Sequence, residues 1–168
     1  MQNEANSILN QQIIRTADEN QYVTFSIDDE EFGIEILKVQ EIVGYTKPTH
    51  VPNIPDFVRG VINLRGVIIP IIDIRKKFQM PQKEYDKFTV IIVVEIATKI
   101  MGIIVDSVSD VLSLTEKDIQ DTLEISKFQS EFLKGMGKVG EKLIILLDID
   151  KILTYEEYKK LNDINHEG

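Results

Sequence analysis

The amino-acid sequence predicts an all-β protein, mainly strands with a few short helices, built from two similar halves. Short runs rich in Ile and Val alternate with turn residues along most of the 168-residue chain. Two long segments of the first half match two segments of the second half in the same order. Near the end, "TYEEYKKLND" begins with Thr154 and has Glu157 three residues later, the pattern of a helix N-terminus. We therefore expect a C-terminal helix over residues 155–162.

Composition limits the function classes that fit the chain. Hydrophobic residues make up 43% and charged residues 28%, which indicates a folded globular protein rather than a disordered one. The net charge of -9 argues against a general binder of nucleic acid or of anionic membranes. The absence of Cys excludes disulfides and zinc–thiolate sites. No signal-peptide pattern and no apolar run long enough to span a bilayer is present, so we expect a cytoplasmic protein.

The first half divides into strands, turns and one loop. Residues 1–20 are predicted to be a mobile polar lead that could include a short helical turn. Strands are expected at "YVTFSI" (22–27) and "FGIEI", around the acidic turn "DDEE". "LKVQEIVGY" fits a helical turn or a strand, and "KPTHVPNIP" predicts a loop. "GVIN" and "GVIIPIIDI" flank "LRG" as a hairpin, in which Pro70 indicates an edge strand or a bulge; "RKKF" predicts a short helix.

The second half repeats this character. "FTVIIVVEI" and "IMGIIVDSV" are predicted strands around the turn "ATK", and "LIILLDI" is the last long strand. Between them lies a polar insert, 115–134, that could contain a helix and to which we assign no role.

Internal alignment supports duplication of a small β unit. Residues 32–43 align without a gap with 101–112, so that Gly33 meets Gly102. Residues 57–78 align in the same way with 132–153. Each unit would hold about five short strands, and a unit this small closes economically as a barrel. The predicted subdomains are 21–80 and 81–168, approximate because strands may be exchanged; the alternative is chance similarity between Ile/Val-rich strands.

The stretch "GMGKVG" reproduces G-x-G-x-x-G through Gly135, Gly137 and Gly140. A dinucleotide site needs this pattern between a strand and a helix. Here an Ile/Leu-rich strand follows, and the glycines align with "GVINLR" of the first half. We predict a strand and turn of a hairpin, with a nucleotide-binding enzyme as the less favoured alternative.

Candidates for catalysis are few. His50 lies in a proline-rich loop and His166 near the C-terminus, without a metal-ligand spacing. Asp148 and Asp150 could be half of a carboxylate pair, although a solvated strand end explains them more simply. We expect no catalytic residue, no metal and no cofactor.

Charged residues within Val/Ile-rich stretches are more informative. Glu41, Arg65, Asp106 and Asp110 interrupt apolar runs, as charges do in selective protein–protein interfaces. The alternative for each is an ordinary outward-facing strand position.

The runs "FGIEILKVQEIVGY", "GVINLRGVIIPIIDIRKKF" and "GIIVDSVSDVLSL" resemble the CheW family of chemotaxis coupling proteins. The resemblance extends from about Tyr22 to the C-terminal helix. It implies two five-stranded SH3-like β-barrels side by side, in a cytoplasmic adaptor without catalysis. Such adaptors join the cytoplasmic tips of methyl-accepting chemoreceptors to the regulatory domain of the histidine kinase CheA, which has the same double-barrel form.

The resemblance also implies two sets of contact residues. The receptor-facing set is Val39, Glu41, Asn63, Arg65, Val90, Val108 and Val111. The kinase-facing set is Glu30, Arg59 and Gly102. We expect a monomer in isolation that binds no nucleic acid and does not insert into membranes. A regulatory-domain fragment of the kinase itself is the alternative.

Overall fold

A computed structural model describes residues 6–11, 20–121 and 132–167, and β-strands dominate these residues. The strands are β1 (Gln21–Ile27), β2 (Glu30–Glu35), β3 (Val39–Gly44), β4 (Val58–Leu64), β5 (Val67–Asp73), β6 (Val90–Ile96), β7 (Lys99–Val105), β8 (Ser107–Ser113), β9 (Ile119–Asp121), β10 (Leu133–Val139) and β11 (Lys142–Leu147). "LKVQEIVGY" forms both of its predicted alternatives, a 3-10 turn at Ile36–Lys38 followed by β3.

The described helices are short except for the last. They are α1 (residues 6–11), α2 (Ile74–Lys77) and α3 (Tyr155–Glu167). The predicted start of α3 is confirmed, because the Glu157 N–H donates to Thr154 Oγ1 at 3.1 Å and the Thr154 N–H donates to Glu157 Oε1 at 2.8 Å. None of the described helices has the length and apolar character to cross a membrane.

The strands form two sheets, as the all-β prediction requires. A six-stranded sheet has the order β8-β1-β2-β11-β10-β9, and a five-stranded sheet has the order β3-β6-β7-β5-β4. Neighbouring strands are antiparallel except for one parallel pair in each sheet, β2 with β11 and β5 with β7.

The two halves of the chain exchange strands. The first two strands lie with β8 to β11 in the six-stranded sheet, whereas β3 to β7 form the five-stranded sheet. A boundary at residue 80 therefore does not separate the sheets. The parallel pairs cause this exchange: Leu146 lies opposite Gly33, and Ile71 lies opposite Gly102. These two contacts are equivalent in the internal alignment, so each half lends the same two-stranded hairpin to the other half.

Each sheet curls around a small core of its own. In the five-stranded sheet, Val43 of β3 and Ile62 of β4 pack into one apolar cluster although their strands lie at opposite ends of the sheet. In the six-stranded sheet, Leu112 of β8 and Ile119 of β9 share a cluster in the same way. Only a strongly curled sheet can bring its end strands together, which agrees with an SH3-like form even though the barrels are not closed.

A third and larger core lies between the two sheets. Phe25 and Ile34 of the six-stranded sheet meet Ile72 and Ile92 of the five-stranded sheet there, and Leu161 of α3 joins them. The central strands are therefore covered on both faces, which explains their continuous apolar sequences. Full burial of one such side chain contributes roughly 1.5–3 kcal/mol.

Strand β9, at the end of the six-stranded sheet, has a shorter counterpart in the five-stranded sheet. Thr49 and Val61 form an isolated bridge, with N–H to O distances of 2.8 and 2.9 Å. Beside it, Gly60 has a φ of 140°, and a Cβ on Gly60 would lie 2.1 Å from the Thr49 carbonyl oxygen. The proline-rich loop therefore approaches β4 as β9 approaches β10, but it pairs at one residue only.

One sequence prediction is wrong, one is confirmed in part, and one lies mostly outside the described residues. Pro70 is in neither an edge strand nor a bulge, because β5 is internal and Pro70 lies in regular register opposite Val61. The missing N–H is tolerated because pairing with β7 begins only at Ile71. Residues 6–11 of the predicted polar lead form a helix, which agrees with the helical turn considered around residues 8–15 as far as the described residues extend. The helix considered for the 115–134 insert falls mostly on 122–131, outside the described residues, and the part before it contains a 3-10 turn and β9.

Candidate interaction site

A charge pair joins the two end strands of the five-stranded sheet. Arg65 lies in the tight turn between β4 and β5, where Arg65 and Gly66 have φ values of 51° and 87°. Its guanidinium donates two hydrogen bonds to the Glu41 carboxylate of β3, one of them over 3.2 Å from Nη1 to Oε2. The Asn63 side chain accepts the Gly66 N–H at 2.8 Å and supports the turn. We call Glu41, Asn63 and Arg65 the β3 rim.

The β3 rim is accessible to a partner. The Arg65 side chain is 70% exposed and that of Glu41 is 21% exposed. An exposed pair of this kind adds little to the stability of the free chain, about 0–1 kcal/mol. The structure thus brings together three of the seven residues predicted to face a receptor.

The four valines of that set lie deeper. Val39 and Val90 are buried in the core between the sheets, on the paired strands β3 and β6. Val108 and Val111, on β8, are half-buried and pack against the same core. Only the β8 valines offer part of their surface to a partner, whereas Val39 and Val90 hold the strands in place.

The residues predicted to face the kinase are not gathered in one place. Glu30 is exposed at the start of β2 in the six-stranded sheet, whereas Arg59 and Gly102 belong to the five-stranded sheet. Gly102 is buried, and a Cβ there would lie 2.6 Å from Ile71 Cδ1 and 2.7 Å from Ile91 Cγ2. Gly102 therefore serves the packing of the curled sheet.

Arg59 takes part in a polar cluster that sequence reasoning missed. Its Nε donates to Asp73 Oδ2 at 3.2 Å and to the Tyr85 hydroxyl at 3.1 Å, and Tyr85 donates to the same Asp73 oxygen at 2.8 Å. Asp73 is 1% exposed. Burial raises the pKa of Tyr85 well above its usual value, and the hydrogen bond to Asp73 raises that pKa further. The cluster fixes the polar linker before β6, in which Tyr85 gave no sequence signal.

A second cluster centres on Arg75, whose side chain is only 5% exposed. Its guanidinium binds Asp106 at 3.0 and 2.5 Å, the Pro81 carbonyl at 2.7 Å, and Asp28. These hydrogen bonds, the one to Asp106 foremost, raise the pKa of Arg75 despite its burial. Burial alone would raise the pKa of Asp106, but hydrogen bonds from Arg75 and the Asp28 N–H outweigh it and lower that pKa. Asp106, considered above as an interface charge, is used inside the molecule.

The acidic pair and the glycine motif have structural roles. Asp148 accepts the Asp150 N–H at 3.2 Å, whereas Asp150 binds the Lys38 ammonium at 2.8 Å and the Ala97 N–H at 3.0 Å. The prediction for "GMGKVG" is confirmed, because it forms the end of β10 and a turn that leads directly into β11. In the described part of the chain no group of three or more acidic or His side chains could hold a metal ion.

Two curled sheets around a shared core, with an exposed charge pair on an end strand, form a framework suited to contact with other proteins. A model of the CheW-like domain matches residues 21–157. This match covers most of the chain, so the chain belongs to the CheW-like family.

Individual relatives agree with this assignment. The chain is 47% identical to the chemotaxis protein CheW of Klebsiella aerogenes, over 86% of this chain and 87% of that protein. It is 38% identical to the chemotaxis protein CheW of Rhizobium meliloti, over 80% and 88%. Its fold is similar to the crystal structure of the scaffolding protein TtCheW from Thermoanaerobacter tengcongensis, with a TM-score of 0.76, 33% identity, and coverage of 83% and 96%. The resemblance stated from the sequence is thereby confirmed.

Proposed function

We propose that this chain is a chemotaxis adaptor that couples methyl-accepting chemoreceptors to the histidine kinase CheA in the cytoplasm. The observation that carries the proposal is the 47% identity to a chemotaxis protein CheW over nearly the full length of both chains. The chain acts by contact and performs no chemistry. It holds receptor and kinase together, so that a small movement of the receptor changes the activity of the kinase.

The receptor contact is the β3 rim with the half-buried valines of β8. A receptor tip is a helical hairpin, and helices bind into apolar grooves that carry polar groups at their edges. Glu41 and Arg65 supply the charges that select the partner and its register. The hydrogen bonds between Glu41 and Arg65 also link β3 to the β4–β5 turn, so the rim is already formed in the free chain.

The kinase contact uses Glu30 and Arg59, with Gly102 shaping the sheet beneath. Barrel-against-barrel pairing with a kinase domain of the same form is supported by apolar side chains exposed on two equivalent hairpins. These are Val67 and Ile68 on β5, and Val139 and Leu143 on β10 and β11. A standard interface buries about 800 Å² on each partner, an area that one face of a curled sheet can supply.

Removal of either rim charge tests the receptor contact. We expect Glu41→Ala and Arg65→Ala each to weaken binding of a receptor-tip fragment about 30-fold or more, because truncating one member of a charge pair that a partner covers costs about 2–5 kcal/mol. The matched control is Lys138→Ala, an exposed charge aligned with Asn63 on the other hairpin. Co-sedimentation of the chain with the receptor fragment and CheA provides the measurement.

Two results would contradict the proposal at different levels. Unchanged binding of both rim variants would remove the β3 rim from the interface. Failure of the unmodified chain to join receptor and kinase would remove the adaptor function itself.

The two alternative functions receive no support. The two relatives described above are chemotaxis proteins CheW, and the chain spans 87% of one of them and 88% of the other. The glycines of the suspected nucleotide site lie in a β-hairpin, which has no helix N-terminus to meet a phosphate.

A further inference from the structure

Helix α1 covers the outer edge of β3 by imitating a neighbouring strand. The side-chain amide of Asn10 donates from Nδ2 to the Ile42 carbonyl at 3.1 Å and accepts the Ile42 N–H at Oδ1 at 2.8 Å. β3 is an end strand, so these two backbone groups have no strand partner on that side. One asparagine side chain thus satisfies both, as a paired residue would.

The helix has an inward and an outward face. Leu9 is half-buried and packs against the core between the sheets, the same core that Val108 and Val111 contact. Ile8, the preceding residue, is 60% exposed. Asn6, at the start of the helix, is 8% exposed. The contact made by the described residues of α1 is still small, with two hydrogen bonds, one half-buried leucine and this asparagine, and contacts of this size open locally without unfolding the rest of a protein.

The position of this contact relates it to the β3 rim. Ile42 directly follows Glu41, so the amide of Asn10 lies along the strand that carries the rim carboxylate. In the second half, Val111 occupies the position equivalent to Ile42, and its N–H is bonded at 2.8 Å by the carboxylate of the adjacent Asp110. The Val111 N–H on β8 is satisfied locally, whereas the backbone groups of Ile42 on β3 are satisfied by Asn10, 32 residues away.

We propose that α1 is a displaceable cover of the β3 edge, which a receptor's helical hairpin must release in order to bind. The inference rests on the receptor surface proposed above. A chain that is covered most of the time binds with an apparent affinity reduced by its uncovered fraction. Releasing the helix should therefore strengthen receptor binding, the opposite of the effect expected when a contact residue is removed.

Three variants of the full chain separate these effects. Asn10→Ala removes both hydrogen bonds to Ile42, and Leu9→Ala removes the apolar contact. We expect each to tighten binding of a helical-hairpin receptor-tip fragment roughly 3- to 10-fold, as the uncovered fraction rises. Ile8→Ala, on the outward face of the same helix, is the matched control and should leave the affinity unchanged.

Amide hydrogen exchange measured by NMR provides a readout that does not need the receptor. In Asn10→Ala the Ile42 N–H should exchange faster than in the unmodified chain. The Ile92 N–H, on the β6 residue opposite Ile42, should stay equally protected and so show that the sheet is intact.

The possible results are distinguishable. Faster exchange at Ile42 with unchanged or weaker receptor binding in both release variants would overturn the proposal, because α1 would then be a bystander or part of the interface. Unchanged exchange at Ile42 in Asn10→Ala would overturn it as well. If neither the unmodified chain nor any variant binds the receptor fragment, the proposed function is wrong, and the proposal that receptor binding releases α1 is wrong with it.

Discussion

Single charged residues join the two sheets at equivalent positions with opposite signs. Arg75 follows β5 and binds Asp28 of the β1–β2 turn, together with Asp106 at the β7–β8 junction. Asp150, its counterpart in the internal alignment, follows β11 and binds Lys38 together with the N–H of Ala97 in the β6–β7 turn. Each cluster ties the end of a strand in one sheet to a turn of the other sheet. The two halves therefore share an equivalent link between the sheets, but its central residue is a cation in one half and an anion in the other.

Arg75→Met tests the strength of the first joint. It removes the cation from two carboxylates and leaves Asp106 partly buried without its main charged partner. We expect a loss of about 2–4 kcal/mol in the free energy of unfolding, somewhat below the 3–5 kcal/mol typical of fully buried pairs because Asp28 is partly exposed. Arg65→Met, which breaks an exposed pair, is the control and should lose at most about 1 kcal/mol. Urea unfolding provides both values, and equal losses would contradict the structural role of Arg75.

The same variant should change the dependence of stability on pH. The pKa of Asp106 in the folded chain is lowered below its value in the unfolded chain. Its contribution is therefore complete above the unfolded pKa, about 3.9, and is lost as the pH falls through the lower folded value. In Arg75→Met this loss below the unfolded pKa should be smaller, because the main charged partner that lowers the pKa of Asp106 is gone. An identical acid profile for both chains would show that Arg75 does not set the pKa of Asp106.

At the scale of elements, the two parallel strand pairs depend on glycine. Gly33 and Gly102 occupy aligned positions inside the two curled sheets. A Cβ on Gly33 would lie 2.9 Å from Leu146 Cδ2, and one on Gly102 would lie within 2.7 Å of two Ile side chains. These neighbours are buried and have little room to move.

We expect Gly102→Ala to destabilise the chain by about 1–3 kcal/mol, because it overpacks a filled core. Gly33→Ala, with a single contact below 3.0 Å, should lose less. Thermal unfolding of both variants measures the order. A larger loss of stability for Gly33→Ala would contradict the packing argument. If Gly102→Ala loses kinase binding only to the extent that the chain unfolds, Gly102 acts through the fold.

Sequence patterns predicted the elements whose signals are local. The alternation of "YVTFSI" became β1, and the Thr154–Glu157 capping box became the start of α3. Elements defined by distant contacts were not predictable. Asn10 gave no sign that it would pair with Ile42, which lies 32 residues away. Pro70 indicated an edge strand because the sequence cannot show that pairing on its other side begins one residue later.

At the scale of the whole molecule, the sequence showed the duplication and left strand exchange open, but it did not show which strands are exchanged. The internal alignment shows which segments are equivalent. It does not show whether a strand pairs within its own half or with the other half, because the same apolar residues would be buried in both cases. The site was predictable to a similar extent. The Glu41–Arg65 pair is exposed and its receptor role stays a prediction, whereas the burial of Val39, Val90 and Gly102 follows from cores that both halves build together.

Strand exchange predicts that neither half can fold alone. In a fragment 1–80, β1 and β2 lack β8 and β11, and β3 to β5 lack β6 and β7. Fragments 1–80 and 81–168 should each lack a β-sheet circular dichroism signal and dispersed amide resonances. Mixed in equal amounts, they should recover both, because the core between the sheets is large and its residues come from both fragments. A full chain cut once between the exposed Lys83 and Glu84 is the control and should remain folded. A fragment 1–80 that folds as a monomer would mean that each half closes its own barrel, and the exchanged parallel pairs would then not be needed for the fold.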